Sequence, residues 1–146
     1  MQFRPATQAD IALVTDLTRA AYTPWIKVIG REPMPMQVNY AEAIALHRID
    51  ILDDPGPVAL IEMIPHQDHL WLENLAVHPA HQGRGLGHHL ITHAVQVARS
   101  LDLPELRLLT NAAFTRNLTF YAAQGFTETH RQPFKSGVTA HFRRRL

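Results

Sequence analysis

The chain has 146 residues, of which 46% are hydrophobic, and a formal net charge of +1. Such a length supports one domain around a single core. The balanced charge excludes a nucleic-acid footprint or an affinity for acidic lipid, and the lack of cysteine excludes disulfides, thiolate metal sites and a cysteine nucleophile.

Phe3 to Pro5 reads as a short first strand. Thr7 and Asp10 then have capping-box spacing. Ile11, Val14, Leu17 and Ala21 follow at helical intervals, so a helix is expected up to about Tyr22, with Pro24 stopping it. Between Trp25 and Gln37, Gly30, Pro33 and Pro35 predict a loop carrying aromatic and methionine side chains, and Tyr40 to Leu46 reads as a short helix. Strands are expected over Arg48–Leu52, Val58–Ile64 and Leu70–Val77, and the short turns between them predict antiparallel neighbours.

From Gly87, the residues Leu90, Ile91, Ala94, Val97, Ala98 and Leu101 form a helical stripe, and Pro104 ends that element. Leu106–Leu109 reads as a buried strand reached through this helix, which makes a parallel crossover the economical connection. A last helix ends near Gln124, closed by Gly125. Phe126–Thr129 and Val138–Arg144 are expected as closing strands, and a strand end or solvated tail accounts for Arg143-Arg144-Arg145. The fold class is α/β, a mixed and largely antiparallel central sheet with helices on both faces, over residues 1–146 as one domain.

The most informative stretch is Leu75-Ala-Val-His-Pro-Ala-His-Gln-Gly-Arg-Gly-Leu-Gly87, an apolar strand feeding a glycine-dense turn onto a helix. The first turn of a helix presents amides with no intrahelical acceptor, and the macrodipole adds partial positive charge. Gly83, Gly85 and Gly87 keep side chains out of the way, so a phosphate-bearing ligand is expected there. The spacing is not that of a dinucleotide fingerprint, and Leu86-Gly87 replaces the lysine and hydroxyl residue of a nucleoside-triphosphate loop. Among ten histidines, His89 and His93 share a helix face, but no acidic third ligand lies nearby, so solvated histidines and no metal are expected. The opening Met-Gln-Phe-Arg-Pro has no secretory signal and no apolar run approaches spanning length; a cytoplasmic protein without membrane or nucleic-acid partners is expected.

Three features occur in order: Gln82-Gly-Arg-Gly-Leu-Gly87 after Leu75–Pro79, Thr110-Asn111 with Asn117, and Tyr121-Ala-Ala-Gln-Gly-Phe126. Together they resemble the GNAT superfamily of N-acetyltransferases over essentially the whole chain. The resemblance implies acetyl-CoA as donor and direct transfer to a primary amine of a small molecule or peptide. It implies a splayed parallel strand pair holding the cofactor, whose diphosphate lies on Gln82, Gly83, Arg84, Gly85, Leu86 and Gly87. The pantetheine arm would pair with Leu75, Ala76 and Val77, with a bulge near Leu75–Val77 re-aiming an N–H, that of Val77, toward the acetyl carbonyl. Asn111 and Asn117 would contact the cofactor, although Asn111 equally suits a helix cap.

Amine transfer needs a base, because a lysine-like amine of pKa about 10.4 is almost fully protonated at neutral pH. Glu73 is the candidate; a half-exposed strand glutamate is the alternative reading. Tyr121 is the candidate partner of the departing thiolate. The acceptor would lie near Trp25, Met36 and Tyr40, a segment that a plain covering loop also explains. Phe114 departs from the pattern, standing where many relatives have asparagine, and Val-Thr-Ala-His after Gly137 is a second departure. A homodimer is compatible with the resemblance. A catalytically silent acetyl-CoA sensor on the same fold is the competing reading.

Overall fold

A computed structural model describes residues 1–146. Strands β1 (Gln2–Pro5), β2 (Arg48–Asp53), β3 (Pro57–Pro65) and β4 (Leu70–Val77) pair antiparallel in succession. β4 then pairs parallel with β5 (Glu105–Asn111), and β6 (Thr127–Phe134) and β7 (Gly137–Arg145) complete one seven-stranded sheet in the order β1-β2-β3-β4-β5-β7-β6. The helices are α1 (Ile11–Tyr22), α2 (Ile26–Ile29), α3 (Tyr40–Leu46), α4 (Leu86–Ser100) and α5 (Thr115–Ala123). None is long and apolar enough to cross a membrane.

Each face of the sheet buries its own core. On one side, Leu90, Ile91, Ala94, Val97 and Ala98 of α4 are buried against Ile61 and Met63 of β3 and Leu70 and Leu72 of β4. Across the sheet, Val14, Leu17 and Ala21 of α1 meet Tyr40 and Ala43 of α3 over Ile49, Ile51 and Leu60. Local chemistry sets the helix starts. The Asp10 carboxylate accepts the Thr7 amide at 2.9 Å ahead of α1, and the Asn39 side chain accepts the amides of Ala41 and Glu42 at the start of α3.

Two expectations need correction. Trp25 to Gln37, expected as a loop, carries regular pieces: Trp25 closes the 3₁₀ turn Thr23–Trp25, α2 follows it, and Met34–Gln37 is a second 3₁₀ turn. Proline fixes a φ suited to the first turn of a helix, so it spaces these pieces without abolishing them. β6 runs to Phe134, five residues beyond the expected end at Thr129. Its residues are almost all exposed and carry no apolar alternation; pairing with β7 keeps them extended.

Candidate active site

The site begins with a fault in β4. Glu62 pairs with Asn74 and Met63 with Leu72, so Glu73 is an extra residue, a bulge. Side chains alternate along a strand, and one inserted residue reverses them. Leu70 and Leu72 therefore face the α4 core, as do Leu75 and Val77, while Asn74 and Ala76 face α1. The bulge was expected near Leu75–Val77 and lies two residues earlier. The apolar positions 70, 72, 75 and 77 contain one odd step, and the extra residue must fall inside it.

The same fault parts the parallel strands. β4 and β5 pair only through Leu70–Leu106 and Trp71–Arg107, then diverge. The His78 amide donates to the Val58 carbonyl at 2.9 Å, so by antiparallel alternation the amides of Leu75 and Val77 face the gap, away from β3. Leu75 and Val77 line a cleft of about 470 Å³ there. Ala76, expected beside them, is buried on the α1 face.

The glycine turn forms the far end of this cleft. Pro79–His81 makes a 3₁₀ turn, Gly83 and Gly85 have φ of +79° and +74°, and α4 starts at Leu86. The amides of residues 83–88 donate to no backbone carbonyl and no side chain. Gln82, Gly83, Gly85, Leu86 and Gly87 all line the cleft. Arg84 does not; its guanidinium bonds Asp54 at 2.7 Å and His81 at 2.8 Å. At Gly87 a Cβ would come within 2.9 Å of the Phe120 ring, so glycine is what lets α5 pack against the first turn of α4.

From α5, Asn117 and Tyr121 face the cleft, and Arg116 adds an exposed cation that sequence reasoning missed. Lone arginines on helices are common, and only the fold brings this one opposite the glycine turn. Asn117 donates to Thr110 Oγ1 at 3.3 Å. The Tyr121 ring packs among Phe120, Phe126 and Phe142 at 5.2–5.8 Å, and its hydroxyl bonds no protein group. Burial pushes this phenol well above its ordinary range, so it stays protonated.

A second cavity, of about 210 Å³, opens on the opposite side of the fault. Glu73 and Asn74, made neighbours on one face by the bulge, line it with Tyr40 and Glu62. Tyr22 lines both spaces, and Trp25 on the cleft side touches Phe114 on the cavity side, ring centres 4.4 Å apart. The Tyr22 hydroxyl bonds Asn74 Oδ1 at 2.9 Å and the Leu75 carbonyl at 3.2 Å, while Asn74 Nδ2 donates to Thr18 and Tyr40. The two spaces therefore meet at the Asn74–Leu75 step.

Three expected positions shift. Trp25 lines the cleft and not the second cavity, which Tyr40 lines. Met36 is buried outside both spaces, turned inward by the Met34–Gln37 turn, and its carbonyl accepts Arg19. Asn111 lies in the second cavity, and its Oδ1 accepts the Ala113 amide. This bond makes a turn four residues before α5, so it does not cap that helix.

Glu62 was also missed. It is 2% exposed, and its Oε2 lies 2.6 Å from His47 Nδ1. Burial raises the Glu62 carboxyl above its ordinary range; His47 opposes this in part and the Glu73 charge adds to it. A charged residue inside Val-Ala-Leu-Ile-Glu-Met-Ile, a run apolar enough for full burial, was the available signal. Glu73 is exposed and accepts the Trp71 indole N–H at 2.8 Å. Of the histidines, His93 is not solvated: it bonds the buried Asp50 at 2.7 Å and stacks on Phe3 at 3.8 Å. No group of three or more His, Asp or Glu is placed to hold a metal.

Comparison with known proteins agrees with this geometry. A model of the Acetyltransferase (GNAT) family matches residues 14–126, from α1 to the residue before β6. A curated relative, the amino-acid acetyltransferase of Mycobacterium tuberculosis, is 36% identical over 67 residues. That stretch is 46% of this chain and only 36% of the relative, so the chain accounts for about a third of that enzyme's length. The PaiA N-acetyltransferase of Thermoplasma acidophilum, solved in complex with coenzyme A, superposes with a TM-score of 0.83 at 14% identity over 99% of this chain and 98% of that one. The ribosomal-protein-S18-alanine N-acetyltransferase of Escherichia coli gives 0.78 at 16% identity over 99% and 92%. The chain belongs to the GNAT acetyltransferase family, and acyl transfer is the chemistry of that family.

Proposed function

We propose that the chain transfers an acetyl group from acetyl-CoA directly to a primary amine. The carrying observation is the fault at Glu73. It opens one edge of β4 toward a glycine turn with unpaired amides, and it turns two side chains into a separate cavity that meets the cleft at Asn74–Leu75.

The free amides of residues 83–88 suit a diphosphate, and the open edge at Leu75 and Val77 suits an amide-bearing arm paired as an added strand. Arg116 lies within reach of a further phosphate on the cleft wall. When bound, acetyl-CoA supplies an activated thioester: a carbon–nitrogen bond forms, the carbon–sulfur bond breaks, and the ammonium nitrogen gives up two protons, one to the base and one that ends on sulfur.

The chain's own groups serve each part. The Leu75 amide, on the gap side of the step where the two spaces meet, is the donor for the carbonyl oxygen; that of Val77 lies one pleat nearer the glycine turn. Tyr121, kept protonated by burial, donates to the sulfur. Glu62 takes the amine proton, because burial raises its proton affinity toward the working range of a base, and His47 orients it. Glu73, the base expected from sequence, carries the second carboxylate and attracts the ammonium form of the acceptor. Tyr40 and Asn111 contribute to the acceptor wall, and Trp25 to the boundary with the cleft.

The test is an amine panel read by free-thiol release, preceded by thermal unfolding with acetyl-CoA. At a hundred times its Kd a ligand adds about 2.7 kcal/mol, which for a chain of this size is a Tm increase of about 5–11 °C. Thiol release with an amine supports the proposal. Binding without release from any amine supports the sensor reading, and no binding rejects both.

A further inference from the structure

The second cavity holds a charge that acetyl transfer to a plain amine does not use. Arg31 lines it, and the guanidinium Nε is buried without any hydrogen-bond partner. Its single hydrogen bond is from Nη1 to the Glu32 carbonyl, a long 3.4 Å. The nearest acidic side chain in sequence, Glu32, is held by Arg19 at 2.9 Å. Arg31 forms no ion pair with Glu62 or Glu73, although all three line the same space.

A buried guanidinium N–H without an acceptor is costly, and a planar fork of donors matches a planar carboxylate through two parallel hydrogen bonds. The Phe134 ring lies 6.0 Å from the guanidinium carbon and forms part of the same wall. The same lining includes the apolar Ile29, Pro33, Val38 and Leu109 and the polar Thr110 and Thr139. The cavity thus carries two carboxylates and one guanidinium that do not pair with one another.

We propose that the acceptor is a free amino acid, its amine held by the glutamates and its carboxylate on the Arg31 fork. This rests on the acetyltransferase reading of the site and assigns its acceptor class. The reaction is unchanged in balance: nitrogen gains the acetyl carbon and loses two protons from its ammonium form, one to Glu62 and one that ends on the leaving sulfur, and the carboxylate stays ionised throughout. Arg31 is a specificity residue and takes no part in bond making.

The experiment measures kcat/KM for matched pairs that differ only in the carboxylate. Leucine is set against 3-methylbutylamine and leucinamide, and aminohexanoate against hexylamine. The expected result is that at least one acid exceeds its carboxyl-free partner by about 10- to 100-fold, the worth of hydrogen bonds to a charged group. In Arg31→Met that ratio falls toward one, and Arg31→Lys keeps part of it as a point charge without the fork. Thermal unfolding with acetyl-CoA reports whether each variant folds and holds the donor. Carboxyl-free amines turned over as well as the acids, or an unchanged ratio in Arg31→Met, would overturn the proposal. So would binding of acetyl-CoA with no amino acid acetylated, an outcome that leaves the donor site intact. Failure of acetyl-CoA to bind would instead strike at the acetyltransferase reading itself.

Discussion

Tyr22→Phe removes one oxygen from the point where the two spaces meet. In the native protein that hydroxyl is the only donor to Asn74 Oδ1, on a side chain 2% exposed. Without it the amide oxygen is a buried acceptor with no partner, at a cost of about 1–3 kcal/mol. At about 2–4 °C per kcal/mol for a chain of this length, Tm should fall by about 2–12 °C. The ring itself is retained, so its packing on the core beneath α1 and its place in the cleft wall change little. A double-mutant cycle with Asn74→Leu separates this bond from general damage. The two residues are in contact, so the double variant should lose less than the sum of the single losses by at least about 0.5 kcal/mol. KM for acetyl-CoA should also rise in Tyr22→Phe, because the same hydroxyl reaches the Leu75 carbonyl on the open edge. A Tm within 1 °C of the native value (by ordinary melting precision, about a few tenths of a kcal/mol), or strict additivity in the cycle, would refute the reasoning.

Tyr121→Phe should lower kcat about 100-fold and leave Tm and the acetyl-CoA Kd nearly unchanged, since the hydroxyl bonds no protein group; equal losses in binding and turnover would count against its role. The base must be ionised, so activity should rise with pH through the Glu62 pKa. His47→Gln removes a group that lowers this pKa and should move the acid limb of kcat to higher pH, whereas Glu73→Gln removes a group that raises it and should move the limb lower. Loss of turnover in Glu73→Gln with a normal profile in Glu62→Gln would reverse the two assignments. Gly87→Ala gains about 0.5–1 kcal/mol of helix propensity but places a methyl 2.9 Å from the Phe120 ring, which must swing. Acetyl-CoA affinity should therefore fall more than stability does, by calorimetry against thermal unfolding; an unchanged Kd would remove Phe120 from the cleft wall.

The glycine turn was legible in the sequence because its geometry is local, whereas Tyr121 was singled out only by the family resemblance. Unpaired amides at a helix start depend on a few consecutive residues, and so does the end of α4 near Pro104. The bulge was legible only in part. The odd step from Leu72 to Leu75 was there to be read, but a register shift depends on β3 opposite, where Glu62 pairs with Asn74 and Met63 with Leu72. Arg31 carries no local signature, and Glu62 only that of one charge inside an apolar run. Each matters through what surrounds it: His47 from the end of α3, Glu73 from the bulge, Phe134 from the far hairpin. Met36 and Trp25 show the converse, since an apolar side chain in a proline-broken segment can face a cavity, a cleft or the core, and the intervening short helices decide which.

The central claim is that the parted strands and the bare amides beyond them hold acetyl-CoA. A crystal structure of the complex tests it most directly. Diphosphate oxygens are expected within about 3 Å of the amides of residues 83–88, with the arm hydrogen-bonded to Leu75 and Val77 and the thioester sulfur beside Tyr121. A diphosphate seated anywhere else on the protein, with these amides facing only solvent, would contradict it.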